Sequence, residues 1–327
     1  MSKPKVYVTH RIPQEGLDMI PQVADMEVWS EELPPPYELL LEKVKNVVGL
    51  LALVRDKIDA NLMAAAPELK VISNYAVGFD NIDIAEATKR GIVVGNTPGV
   101  LTETTADLAF VLLMAAARRV VEADGFTRKG GWRTWGSQVL LGLDIHHATL
   151  GIIGLGRIGT EIAKRGRGFD MKVIYYDVNR RTKEEEIKLG VEYVELKRLL
   201  SDADFVSIHA PLLSETYHMI GAAELALMKS TAILINSSRG PLVDQKALYE
   251  ALKSHRIFAA GIDVTETEPI SPDDPLLTLD NIVITPHIGS GSVNTRRNMA
   301  IMAAENLTAG LRGQVPPHCV NPEAFKS

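Results

Sequence analysis

Cysteine is nearly absent from this sequence, with Cys319 the single example among 327 residues. One thiol cannot form a disulfide within the chain, so the fold must depend on its apolar core. A chain without disulfides fits a reducing compartment, and we expect a cytoplasmic location. Long apolar runs are lacking as well, because the best uncharged stretch, residues 108–117, is shorter than the roughly 20 residues that span a bilayer. The polar N-terminal residues also lack the apolar core of a signal peptide.

An excess of positive charge is also missing. Asp and Glu number 41 against 35 Lys and Arg, which gives a formal net charge of −6. The basic residues are scattered, so a nucleic-acid surface is not expected. What the sequence does have is a large hydrophobic fraction, 46%, and a length that suits two domains with a core in each.

Short apolar runs alternate with amphipathic segments along nearly the whole chain. In the first hundred residues, the runs 5–9, 47–51, 70–73 and 92–95 predict buried strands, and residues 37–45 and 59–65 predict helices. Alternation of this kind indicates parallel sheets that are covered on both faces, which is the α/β class.

A second series of strands and helices follows a long apolar helix, which Thr102 is predicted to cap and which ends near Arg118 and Arg119. Its strands are predicted at 149–153, 172–176, 205–209, 232–236, 259–263 and 282–285. A final helix at 292–312 is predicted to return the chain to the first domain. We therefore expect two Rossmann-like or flavodoxin-like domains, a discontinuous substrate-binding one (1–101 plus 290–327) and a central dinucleotide-binding one (102–289), with the active site in the cleft between them.

A glycine fingerprint, G-x-G-x-x-G, follows the predicted strand 149–153 and opens a helical pattern. Gly154 allows a tight turn, Gly156 lets the backbone approach a pyrophosphate, and Gly159 lets the helix pack on the strand. Free N–H groups and the helix dipole favour anions at a helix N-terminus. Because a strand, a helix and a further strand surround the glycines, the motif predicts a dinucleotide-binding domain.

The charge next to the adenosine ribose bears on the choice of dinucleotide. Asp177, at the end of the next predicted strand, lies near the usual offset for a carboxylate that binds this ribose. A carboxylate accepts hydrogen bonds from a 2′-hydroxyl and repels a 2′-phosphate, which favours NAD(H). Arg180 and Arg181 act in the opposite sense, because an arginine can hold that phosphate. NAD(H) is therefore favoured, and NADP(H) stays possible.

Three polar clusters follow strands of the second series, one with Arg239, one with Asp263 and Glu268, and one with His287. Ligands of open α/β sheets bind beyond the carboxyl ends of the strands, so these side chains are expected at one crevice with the dinucleotide. A guanidinium clamps carboxylate and carbonyl oxygens, an imidazolium donates a proton, and a neighbouring carboxylate orients the imidazole. Reduction of a 2-keto acid needs this set. His209 also ends a strand, but no acid stands obviously beside it, and it is predicted to be structural or to edge the pocket.

Together these motifs resemble the D-isomer-specific 2-hydroxyacid dehydrogenases, and most of all their glyoxylate and hydroxypyruvate reductase branch. The resemblance covers essentially the whole chain. It is carried by the glycine fingerprint and by residues 74–83, 104–109, 238–244, 261–269 and 286–290. It implies NAD(P)H-dependent reduction of a small 2-keto acid, glyoxylate or hydroxypyruvate, to the D-2-hydroxy acid, without a metal ion.

The resemblance also assigns the catalytic and substrate residues. Arg239 would bind the substrate carboxylate and keto oxygen, and His287, paired with Glu268, would donate the proton. Val77 and Gly78 would offer backbone N–H groups to the substrate carboxylate.

Cofactor contacts and a dimer are implied in the same way. Asp263 would contact the nicotinamide carboxamide. Trp135 would be lent to the neighbouring pocket of a homodimer, whose arm would comprise residues 102–144. The candidate cofactor residues are Thr105, Gly154, Gly156, Arg157, Ile158, Gly159, Asp177, Pro211, Ser237, Asp263 and Gly289.

Three alternatives bear on this interpretation. A phosphite-oxidising relative carries a lysine where Val77 stands, and the loss of that charge disfavours a doubly charged inorganic anion. A dehydrogenase for a bulkier acid, such as phenylpyruvate or 2-ketoisocaproate, stays open because pocket volume is not readable from sequence. A nucleotide-sensing, corepressor-like binding protein would keep the same triad, but this chain lacks the long tails of those relatives, which favours an enzyme.

Overall fold

The computed structural model describes residues 3–326. Met1, Ser2 and Ser327, which belong to the predicted discontinuous domain, lie outside the described residues. The chain divides into two compact units, Met1–Leu101 with Ser290–Ser327, and Thr102–Gly289. No helix of the described part is both long enough and apolar enough to cross a membrane.

The described residues contain twelve strands and twelve α-helices. The strands are β1 Lys5–Val8, β2 Asp25–Val28, β3 Gly49–Ala52, β4 Val71–Asn74, β5 Val93–Gly95, β6 Thr149–Ile153, β7 Lys172–Tyr176, β8 Val191–Tyr193, β9 Phe205–Ile208, β10 Ile233–Asn236, β11 Ala259–Ile262 and β12 Ile282–Ile284. The helices are α1 Gln14–Leu17, α2 Tyr37–Lys43, α3 Ala60–Ala65, α4 Ile84–Lys89, α5 Thr102–Ala117, α6 Val120–Arg128, α7 Arg157–Gly168, α8 Lys183–Leu189, α9 Leu196–Asp202, α10 Ala222–Leu227, α11 Gln245–Lys253 and α12 Val293–Leu311.

The first unit is built on a five-stranded parallel sheet in the order β2-β1-β3-β4-β5, the flavodoxin-like arrangement. The three central strands β1, β3 and β4 are almost entirely buried, which explains their continuous apolar character. The long helix α12 packs on β3, β4 and β5, so the end of the chain completes this unit. Asn321, which is fully buried, fastens the segment after α12 to β5 by accepting the N–H of Val94.

The second unit is built on a seven-stranded parallel sheet in the order β12-β11-β10-β9-β6-β7-β8. Read from β8, and with β6 counted as strand 1, the order is 3-2-1-4-5-6-7. This is the Rossmann arrangement 3-2-1-4-5-6 with one more strand, β12. Helices α5 and α7 contribute to an apolar core on one face, and α9, α10 and α11 contribute to the core on the other. The strand order reverses between β6 and β9, and a dinucleotide binds at such a point in folds of this kind.

The clearest differences from the predicted elements concern two edge strands, one surface helix and the ends of the first long helix. The edge strands β2 and β8 were not predicted, because their sequences DMEV and VEY are short and partly polar. Helix α6 was also missed, since it buries none of its residues and gives no core-facing pattern. The first long helix ends at Ala117 because Arg119 adopts a left-handed backbone with φ of 52°, and Thr102 lies inside that helix rather than capping it.

Replacing Asn321 by alanine is expected to lower the free energy of unfolding of the first unit by about 2–4 kcal/mol, because buried polar groups lose their partners. The Asn321 amide donates to the Ile92 carbonyl and the Thr88 hydroxyl, and its oxygen accepts from Val94. Calorimetry, with hydrogen exchange at the Val94 amide, measures the loss. Asn298→Ala, at an exposed position of α12, is the control and should change stability by less than about 0.5 kcal/mol. Equal stability of the two variants would contradict this account.

Candidate active site

A histidine and a glutamate form a close pair at the carboxyl end of the second unit's sheet. Nδ1 of His287, which follows β12, lies 2.7 Å from Oε2 of Glu268, and the two side chains are 32% and 35% exposed. The other carboxylate oxygen of Glu268 accepts the N–H of Thr265 at 3.3 Å. Because Nδ1 is occupied by the carboxylate, Nε2 is the imidazole nitrogen that is left to exchange a proton with a ligand.

The turn that presents His287 is organised by Asp263, which is only 1% exposed. One oxygen of this carboxylate accepts the Thr285 hydroxyl at 2.5 Å and the Ile288 N–H at 2.8 Å, and the other accepts the Gly289 N–H at 2.7 Å. Burial raises the pKa of Asp263, and these hydrogen bonds and the His287 charge act in the opposite direction. His287 itself has a φ of 52°, an uncommon left-handed backbone for a residue other than glycine. The buried carboxylate thus holds a strained turn with the imidazole at its tip.

The segment that carries Arg239 follows β10 and is tied to its neighbours on both sides. The Asn236 amide donates to the Arg239 carbonyl at 2.8 Å, and the Ser238 hydroxyl donates to the Ala210 carbonyl at 2.6 Å. Gly240 has no room for a side chain, since a Cβ there would come within 1.9 Å of the Thr265 carbonyl oxygen. The loop of Arg239 therefore lies directly against the loop of Glu268.

The glycine fingerprint has the geometry of a tight strand-to-helix turn. Gly154 has a φ of 91°, and a Cβ there would meet the backbone of His209 and Ala210 at 2.8 Å. A Cβ on Gly159 would come 2.1 Å from the Gly154 carbonyl oxygen, so α7 packs closely on this turn. Gly156, the N-cap of α7, has nothing within 4 Å of its Cβ position. A ligand can therefore approach the backbone at the start of α7, where Arg157 is exposed and Ile158 is half-buried.

Buried polar groups around the sheet edge also fit a dinucleotide. Oγ of Ser237 is buried and has no hydrogen-bond partner among residues 3–326, and a polar group of a ligand would satisfy it. A Cβ on Gly289 would come 3.2 Å from Asp263 and 3.3 Å from Thr105, so these three candidate residues are neighbours. Pro211 is exposed, and its carbonyl accepts the hydroxyl of Thr216 at 2.8 Å.

Asp177 follows β7 and is held by backbone donors. One of its oxygens accepts the Leu155 N–H and the other the Asn179 N–H, each at 2.8 Å. The carboxylate is therefore fixed beside the glycine fingerprint and still has lone pairs for ribose hydroxyls. Arg181 donates from Nη2 to the Leu155 carbonyl at 2.8 Å, so it also lies at this turn.

The remaining candidates lie away from these residues in the chain. Val77 and Gly78 follow β4 of the first unit, where the amides of Asn96 and Asn74 donate to their carbonyls at 2.8 Å. Trp135, in the second unit, is 81% exposed. The roles given to these three residues stay predictions.

Sequence reasoning missed a second histidine–glutamate pair. Nε2 of His218 lies 2.7 Å from Oε1 of Glu266, which also accepts the N–H of Gln245 at 3.0 Å. No motif signals this pair, because the two residues are 48 positions apart. His209, by contrast, bonds the Ser207 hydroxyl at 2.8 Å, and burial lowers the pKa of His209 to about 3, so it is a neutral, structural imidazole at physiological pH.

Comparison with known proteins places the chain in a family. Residues 110–289 match the family described as D-isomer specific 2-hydroxyacid dehydrogenase, NAD binding domain. A glyoxylate reductase from Korarchaeum cryptofilum is 56% identical over 99% of this chain and 98% of its own length. The chain therefore belongs to the D-isomer specific 2-hydroxyacid dehydrogenases, and the predicted family and its oxidoreductase class are confirmed.

Solved structures agree with this assignment. A protein from Thermus thermophilus superposes with a TM-score of 0.91 at 46% identity, covering 97% of this chain and 99% of that one. An NADPH-dependent glyoxylate/hydroxypyruvate reductase from Sinorhizobium meliloti, solved with NADP and malonate, gives 0.88 at 32% identity, covering 99% and 98%. The predicted fold class of two parallel α/β sheets is confirmed, and a nicotinamide dinucleotide, NAD(H) or NADP(H), is the cofactor of this chain.

Replacing Asp263 by asparagine is expected to lower kcat/KM about 10- to 100-fold, because an amide cannot accept all the hydrogen bonds that this carboxylate accepts. One lost bond to a charged group costs about 1.5–3 kcal/mol. Steady-state kinetics measures the loss, and Asp273→Asn, at an exposed position, serves as the control. An unchanged kcat/KM in Asp263→Asn would show that this carboxylate does not hold the His287 turn.

Proposed function

We propose that this enzyme reduces glyoxylate and hydroxypyruvate to their D-2-hydroxy acids with a reduced nicotinamide dinucleotide. The observation that carries the proposal is the 2.7 Å contact of His287 with Glu268, which leaves Nε2 for proton transfer. The substrate is inferred from the relatives, because glyoxylate reductases from Korarchaeum cryptofilum and Thermococcus litoralis are 56% and 52% identical to this chain.

The chemistry divides among a few groups. The dinucleotide, when bound, supplies the hydride that reduces the keto carbon. Arg239 binds the substrate carboxylate and the keto oxygen, whose developing negative charge its guanidinium stabilises. His287 donates the proton from Nε2 to that oxygen, and Glu268 accepts the Nδ1 hydrogen and stabilises the imidazolium. Backbone N–H groups of Val77 and Gly78 add hydrogen bonds to the substrate carboxylate.

The dinucleotide would lie along the carboxyl end of the second unit's sheet. The start of α7 would bind the pyrophosphate, Asp177 the adenosine ribose, and Asp263 the nicotinamide carboxamide. The remaining contacts are those predicted for Thr105, Pro211, Ser237 and Gly289. Because Asp177 would repel a 2′-phosphate, the enzyme should prefer NADH to NADPH.

Initial rates with glyoxylate and hydroxypyruvate, each with NADH and with NADPH, test the proposal. His287→Ala should lower kcat by about 10²- to 10⁴-fold, the usual contribution of a positioned proton donor. Arg239→Ala should lower kcat/KM by about 10²-fold or more, because a charged clamp on the substrate is lost.

Two exposed positions away from the site provide matched controls. His146→Ala and Arg198→Ala should keep the rates of the unchanged enzyme, since both side chains are more than half exposed, at 64% and 56%. Turnover of phenylpyruvate, but not of glyoxylate or hydroxypyruvate, would show that the substrate is a bulkier 2-keto acid. Dinucleotide binding without turnover of any 2-keto acid would refute catalysis and favour a sensor.

We further propose that the enzyme is a cytoplasmic homodimer. A single cysteine fits a reducing compartment. The segment from α5 to residue 144 is rich in exposed apolar side chains, and α6 buries none of its residues. Large apolar patches of this kind mark interfaces. The most exposed are Val121 at 57%, Leu141 at 60%, Trp132 at 65% and Trp135 at 81%. In this dimer, Trp135 would reach the pocket of the neighbouring protomer.

Val121→Asp should dissociate the dimer, because it places a charge in the apolar surface that is proposed to be buried between the protomers. Sedimentation velocity measures the mass of the species in solution. Leu33→Asp, at a position that is 74% exposed in the first unit, is the control and should stay dimeric. A monomeric unsubstituted protein at micromolar concentration would contradict the homodimer.

A further inference from the structure

Three polar side chains meet at a carboxylate that has no part in the proposed chemistry. Glu186, on α8, is 3% exposed. Its Oε1 accepts from Nε of Arg180 at 2.9 Å and from the Tyr175 hydroxyl at 3.1 Å. Its Oε2 accepts from Nζ of Lys183 at 2.8 Å and from Nη2 of Arg180 at 3.3 Å. Glu186 therefore binds the Arg180 guanidinium through both carboxylate oxygens, and its Oε2 also binds Lys183.

Arg180 is held from a second direction as well. Its guanidinium carbon lies 4.7 Å from the centre of the Tyr193 ring, within the range of a cation–π contact. The edge of the guanidinium that carries Nε and Nη2 meets the carboxylate, and its carbon lies over the ring, so these two contacts set its direction. The Arg180 guanidinium would lose these contacts if it turned toward another anion.

The position of Arg180 gives this arrangement a consequence for cofactor choice. Arg180 follows Asp177 by three residues, next to the carboxylate proposed to bind the adenosine ribose. An arginine at this place can neutralise a ribose 2′-phosphate. Hydrogen bonds from Arg180 and Lys183 lower the pKa of Glu186 to about 2, so the carboxylate is charged throughout the neutral range.

We propose that Glu186 is a specificity-determining residue, which draws Arg180 away from the ribose and thereby disfavours dinucleotides that carry a 2′-phosphate. The inference rests on the proposed placement of the dinucleotide. Arg181 differs from Arg180, because it donates to the neutral Leu155 carbonyl at 2.8 Å and lies 3.5 Å from Glu185. Discrimination against the phosphate thus depends on Asp177 and Glu186 together.

Calorimetric titration of the full-length protein with NAD⁺ and with NADP⁺, without substrate, tests this role through binding alone. Glu186→Gln should tighten NADP⁺ binding about tenfold, the value of one freed charge-assisted hydrogen bond. NAD⁺ binding should change less than about twofold, since it has no 2′-phosphate for the freed guanidinium to meet. The double variant Arg180→Met, Glu186→Gln should lose most of the gain.

Glu184→Gln is the matched control, because it removes the same charge from an exposed position of the same helix. An equal gain for NADP⁺ in this control would overturn the proposal, as would no gain in Glu186→Gln. Arg180→Met alone should leave NADP⁺ binding unchanged, and a weakening would show that Arg180 already meets the phosphate. If the unsubstituted protein binds neither dinucleotide, the proposed dinucleotide site fails as well. If it binds NAD⁺ but Glu186→Gln has no effect, only the role of Glu186 fails.

Discussion

The buried carboxylate of Asp263 is the interaction on which the candidate site depends. A charge with 1% exposure is costly unless donors surround it, and three come from residues 285–289. To bring these donors to one carboxylate, the chain after β12 must turn sharply, and His287 takes up a left-handed backbone at that turn. The position of the imidazole is therefore set by the hydrogen bonds that the buried Asp263 carboxylate accepts. The contact with Glu268 then fixes the orientation of the ring.

Close contacts also join the Arg239 loop to the loop that carries Glu268. The absence of a side chain at Gly240 lets the Arg239 loop rest against the Thr265 carbonyl. Glu266, in the loop of Thr265, pairs with His218 and accepts the N–H of Gln245 at the start of α11. His218 also donates its N–H to the Pro241 carbonyl at 2.8 Å. These links join the loops that carry the candidate catalytic side chains, and fixed positions of this kind are what proton and hydride transfer requires.

The sequence predicted most of the sheet framework, because buried parallel strands are continuous apolar runs and the fingerprint glycines mark a turn with one geometry. Strands β6 and β7 were predicted to the residue, whereas β2, β8 and α6 were missed because polar edge elements bury little. In the site, the side chains expected at strand ends are at strand ends. The contacts of Glu186 and Glu266 were not predictable in the same way, since they join residues by three-dimensional packing and leave no spacing rule in the chain.

The discontinuity of the first unit has a consequence for the order of folding during synthesis. The second unit needs only Thr102–Gly289, whereas the first needs both ends of the chain, since α12 covers β3, β4 and β5. A nascent chain that has emerged as far as Gly289 can complete the second sheet, while strands β3 to β5 still lack the helix that packs on them. Domains generally fold as units as they are translated, so the segment made first is the last to reach its final core. A chain that ends before α12 would therefore expose apolar strands of the first sheet, and exposed surface of this kind is prone to aggregation.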